Sequence, residues 1–151
     1  MANTQALTTS FKTEILSGIH ALGTTVIRAG TGADTLKAAL YLASATVNAA
    51  TTAYSASGEV SGTNYSAGGI TVTNANQPAN SGTTAYWTPS ASFTYTNVTL
   101  TTAFDAVLIY NSTQSNKAIS VHTFGSQTVT AGTFVLSMPT SDASTGLLRI
   151  A

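Results

Sequence analysis

Cysteine is absent from the chain, so neither a disulfide framework nor a thiolate metal site is available to it. Charge is scarce as well. Lys, Arg, Asp and Glu make up 7% of the residues, five basic against five acidic, where an average soluble domain carries ~25%. From Val60 to Phe104 none of these four types occurs. Non-specific nucleic-acid binding relies on Lys and Arg to displace counterions from phosphates, so this composition argues against it. An anionic membrane surface is disfavoured for the same reason. No apolar run approaches the ~18 residues of a membrane-spanning helix. The opening MANTQALTTSFKTEIL lacks the basic-then-apolar order of a secretory signal, so standard secretion is not expected.

What is present is Thr, Ser and Asn, whose hydroxyls and amides must solvate the surface. Such a low-charge exterior suits packing against copies of the chain or against a partner. The 151 residues fit one domain with a real core. Leu7, Phe11, Ile15, Ile19 and Leu22 recur at helical spacing, Thr and Ser at 8 to 10 offer a cap, and Gly23 is a stop signal. Strand patterns follow. LKAALYL (36–42) alternates, and ITVT (70–73) is short. FTYTNVTL (93–100) changes phase near Asn97, the mark of a bulge. AVLIY (106–110) is apolar on both faces and reads as a central strand, AISVHTF (118–124) and GTFVLSMP (132–139) alternate, and LLRIA (147–151) reads as a last strand. Turns are predicted around Asn111-Ser112, at Gly125-Ser126, at Ala131-Gly132 and at residues 144–146.

The expected fold is therefore mainly β. It is a β-sandwich or jelly-roll-like single domain over 1–151, with a short N-terminal α-helix in a helical segment at 1–23. The sandwich spans 34–151, with a long loop or arm at about 74–92. A jelly roll and an immunoglobulin-like sandwich read alike at this level.

Motifs for chemistry are thin. YSASGEVSGTNYSAGG (54–69) is rich in glycine but carries neither a phosphate-loop Lys-Ser/Thr nor G-x-G-x-x-G. GTGAD (30–34) precedes a strand instead of opening a helix. His20 and His122 are the only histidines, and no G-x-S-x-G elbow accompanies them; each reads as a hydrogen-bonded structural residue. The five acids are widely spaced and form no metal-ligand run. No enzyme activity, cofactor or metal is expected. Glu59 stands alone in a neutral stretch, and if buried it needs a partner such as Arg28 or Lys37. Tyr54, Tyr65, Tyr86, Trp87 and Tyr95 read first as core aromatics, and Tyr86 with Trp87 as a candidate exposed contact for a sugar or partner.

The order of FKTEILSGIH (11–20), DTLKAALYLASATVNAATTAY (34–54), GEVSGTNYSAGGITVTN (58–74), FDAVLIYN (104–111), AISVHTFG (118–125) and the ending GTFVLSMP…GLLRIA resembles a family of small virion structural proteins of tailed bacteriophages. The resemblance runs along nearly the whole chain; GEVSGTNYSAGG and the AVLIYN…FG pair are its most distinctive pieces. It implies a β-sandwich subunit that decorates or cements a particle. Its partners would be the major capsid protein, copies of itself, or both, as a homo-oligomer located in the virion, on the capsid surface in preference to the tail. On that reading the 54–69 stretch is an assembly loop. Gly58, Gly62, Gly68 and Gly69 turn it with positive φ, Tyr54 and Tyr65 pin it, and Glu59 lies among them. Two alternatives stand beside it: a tail- or fibre-associated protein binding a receptor or glycan through Tyr86 and Trp87, and a small hydrolase using His20 or His122.

Overall fold

The computed structural model describes residues 2–16, 18–24 and 32–151. These residues form two antiparallel sheets and one short helix, the mainly-β, sandwich-like architecture expected. In chain order the elements are β1 (Ala6–Leu7), α1 (Thr9–Leu16), β2 (Leu36–Leu42), β3 (Ile70–Thr71), β4 (Ala79–Ser81), β5 (Thr84–Trp87), β6 (Phe93–Asn111), β7 (Lys117–Leu136) and β8 (Leu148–Ile150). The larger sheet has the order β1-β7-β6-β2-β3 and the smaller β4-β5-β8.

Alternation along β2 and β6 divides the core in two. Leu36, Ala38 and Leu40 of β2 and Val107 and Ile109 of β6 face one way. They join Phe11, Trp87, Phe93, Tyr95 and Leu148, so the helix and the small sheet cover that face. Ala39, Tyr41, Ala106, Leu108 and Tyr110 face the other way and meet Val47 and Tyr54 from the long β2–β3 connection. AVLIY is thus a strand core buried on both faces, as its unbroken apolar character predicts.

The helical segment is shorter than the periodicity suggests. Leu7 lies in β1, paired with Ser120, and Thr8 caps the helix by accepting the Phe11 N–H on Oγ1 at 3.3 Å. The helix ends at Leu16 and is closed by Gly18, φ +67, with Gly18 N–H bonded to Ile15 O and Ile19 N–H to Glu14 O. This Schellman closure stops the helix before Ile19 and Leu22 could extend it. The phase slip at Asn97 is a bulge: its φ is +52 and the register shifts between Tyr95 and Val98. All four apolar residues of FTYTNVTL are consequently buried. The turns expected at Gly125-Ser126 and Ala131-Gly132 are absent. Both pairs lie inside β7, where register shifts and Ala131 at φ +47 absorb the extra residues without reversing the chain. The arm expected at 74–92 is instead a β4–β5 hairpin turning through Gly82, φ +57, and extended by β8.

Candidate functional site

The 54–69 stretch is laid along the outer edge of β2. Leu42 N–H bonds Gly58 O at 2.9 Å, Val60 N–H bonds Leu40 O at 3.0 Å, and Glu59 bridges Tyr41. Gly58–Val60 thus continues the edge pairing that β3 begins at Lys37 and Ala38. Further on, Thr63 bridges Thr99, and Thr99 N–H bonds Thr63 O. The loop closes a row of backbone donors and acceptors that an edge strand would otherwise present to solvent.

Glycine is required here for two different reasons. Gly58, Gly68 and Gly69 have φ of +79, +88 and +70, as expected. Gly62 does not have positive φ, which corrects the expectation: it is needed for closeness, because a Cβ there would meet Thr99 O at 2.0 Å. Gly69 answers to both demands, since its Cβ would lie 1.8 Å from Ala38 O.

Glu59 is the hub. Tyr54 OH donates to Oε2 at 2.6 Å, while Tyr65 OH and Gly68 N–H each donate to Oε1 at 2.8 Å. Tyr65 OH in turn accepts from Leu40 N–H at 3.0 Å. Tyr110 OH donates to Gly68 O, and its ring stacks on Tyr54 with centroids 4.7 Å apart. Tyr95 stacks near Tyr65 and donates to Ala38 O. Lys37, expected as an ionic partner, is not one; the charge is met by two phenols and an amide. Arg28 lies outside the described residues. Burial, then the bond to Glu59, pushes the Tyr54 and Tyr65 phenols well above their ordinary value. Burial also lifts Tyr41, which donates to Ser55 O, to about 12. These hydroxyls therefore remain donors across any working pH. Ser61, Gly62, Thr63, Asn64, Ser66 and Ala67 are exposed, so the outer side of this clamped loop is neutral and polar.

The candidate exposed contact is not formed. Trp87 is 1% exposed, fills the space between the sheets and donates through Nε1 to Asn76 O at 2.9 Å. It ends β5, paired with Leu148 of β8, and joins the core cluster with Phe11 and Phe93. Tyr86 is half-buried and lines an apolar cavity of about 440 Å³ with Phe11, Ile15, Leu22, Pro78 and Ile150.

One cluster was invisible in the sequence because its members are spread over a hundred positions. Glu14 accepts from Lys117 Nζ at 2.5 Å and from His20 Nε2 at 2.7 Å. His20 Nδ1 faces Asn111 Nδ2 at 3.0 Å, and Asn111 also donates to Asp34 at 2.8 Å. Burial raises the Glu14 carboxyl, but the hydrogen bonds from Lys117 and His20 outweigh it, and the group sits below its ordinary 4.5. With both ring nitrogens engaged, His20 serves as a clasp between the N-terminal segment and the β6–β7 turn. His122 lies 2.9 Å from Ser120 Oγ. No group of three or more metal-ligating side chains occurs among the described residues. A scan against protein-family models, a search of curated proteins and a search of solved structures each returned no match to this chain.

Proposed function

We propose that this chain is a virion structural subunit of a tailed phage, most specifically a capsid decoration protein that stabilises the head by packing between capsid subunits. The sequence resemblance suggests the reading, and the observation that carries it is the neutral, ordered exterior. Apart from half-buried Glu59, the clamped 54–69 loop and the outer half of the β6–β7 ribbon carry no charged side chain, and their exposed positions are mostly Ser, Thr, Asn and Gln. A protein free in solution ordinarily relies on charge to stay dispersed. A cementing subunit instead presents a broad mixed-polarity surface to its neighbours, and an ordered loop forms such a contact with little entropy left to lose. The receptor or glycan alternative rested on Tyr86 and Trp87 together, and of the two Trp87 is buried while Tyr86 is half-buried. Particles assembled without this chain are expected to release their DNA at lower temperature than complete ones, and to recover on adding the purified protein. Equal thermal stability with and without it would contradict the cementing role.

A further inference from the structure

The two long edges of the larger sheet are treated differently. On the β2 side, β3 and Gly58–Val60 cover β2 and Glu59 locks them in place, and the outer part of β6 is met at Ala103 by Ala43, at Thr99 by Thr63 and at Asn97 O by the Asn64 amide. On the β7 side, β1 pairs only with Ser120 and Val121. Among the described residues no strand or bridge reaches β7 from Thr123 to Leu136 on that side. Two of the usual edge protections, charge and proline, are missing over this length: from Ala118 to Ser141 there is no Lys, Arg, Asp or Glu, and the only proline, Pro139, lies beyond the strand. The Ala131 bulge interrupts the edge. Beyond it Phe134, Val135 and Leu136 run in unbroken register with Tyr95, Thr94 and Phe93. Val135, one of two large apolar side chains markedly exposed among the described residues, is 47% exposed on this stretch.

We propose that Gly132–Leu136 of β7 is the edge through which two copies of this chain pair antiparallel about a two-fold axis, joining their five-stranded sheets. The occupant follows from the chemistry of the strand. An uncharged edge meets its own copy without like-charge repulsion, and a charged partner strand would find no complement on it. A two-fold centred on Phe134 sets Val135 of each copy opposite Thr133 of the other, a β-branched cross-strand pair, and removes the exposed Val135 from water. Five paired residues span only ~17 Å, short of the surface a stable dimer needs. The contact is therefore weak in isolation and gains strength where many copies are held together.

This names the self-contact within the structural-subunit reading and rests on it, but it is tested without any particle. Sedimentation equilibrium up to millimolar protein is expected to show a monomer–dimer equilibrium. Amide exchange at Gly132–Leu136 should slow as concentration rises. Val135→Lys and Thr133→Lys, both at exposed positions, are expected to weaken the dimer at least ~10-fold with unchanged melting temperature, while Val135→Thr retains it. A wild-type protein monomeric throughout, a dimer indifferent to both lysines, or protection appearing at Ala79–Ser81 instead would overturn the proposal. High copy number on particles combined with a monomer in solution would overturn this pairing alone and leave the decoration role standing.

Discussion

Glu59 shows how one side chain holds a long loop. It takes three donors from three places in the segment, and its removal orphans them together. Glu59→Ala is expected to cost about 3 kcal/mol in urea unfolding, the scale of bonds to a charged group. Glu59→Gln keeps one acceptor and should recover part of that. A change within ~0.5 kcal/mol for the alanine variant, as at an ordinary surface site, would show that the clamp does not hold the loop. Gly62→Val is expected to cost roughly 3 kcal/mol or more, because the new side chain meets the Thr99 carbonyl. Gly82→Ala has open space and only a left-handed φ to oppose it, so about 1–2 kcal/mol is expected; the reverse order would contradict the close-approach account. His122 supplies the pH dependence. Burial pushes its imidazole from 6.5 down to about 4, so the unfolded chain takes up this proton first. The stability that neutral His122 contributes is intact above pH 6.5 and is lost as pH falls toward 4, by up to ~3 kcal/mol. His122→Gln is expected to flatten that part of the stability curve, and equal slopes in variant and wild type would contradict it.

Elements were legible where a pattern was local. Leu36–Leu42 and AVLIY declared themselves by alternation and by an unbroken apolar run, and the Asn97 bulge by its change of phase. The errors have a common cause. Glycine pairs at 125 and 132 carry turn chemistry, yet a long strand accommodates them as bulges because its partner's register can shift. The helical spacing runs past the helix because β1 and the segment after Gly18 place apolar residues in the same period by coincidence. Of the candidate site, Tyr54 and Tyr65 as anchors were readable. The Glu59 partners were not, since a phenol and a cation satisfy a carboxylate equally well on paper. Trp87 lies in the core, as the first reading of the aromatics expects; the alternative of an exposed contact fails because the indole packs in one cluster with Phe11 and Leu148. Leu148, 4% exposed, and the β5–β8 pairing make the last strand part of the fold. Deleting Leu147–Ala151 is expected to lower the melting temperature by roughly 5–10 °C, from the loss of one buried leucine and a strand; an unchanged value would mean β8 is dispensable.

At the scale of the whole molecule, most of the ordering is spent on a neutral surface. The β2 edge is covered, the N-terminal segment is clasped by Glu14, His20 and Lys117, and the exposed positions of the loop and ribbon carry hydroxyls and amides in place of charge. That combination suits a subunit whose exterior is covered in its working state. The most direct measurement is the copy number of this chain in purified particles, by quantitative mass spectrometry against the major capsid protein. A count in simple ratio to the capsid subunit is the expected result and sets the protein on the head lattice. A handful of copies would contradict decoration and move it to the neck, tail or fibres, and absence from particles would contradict the virion role altogether.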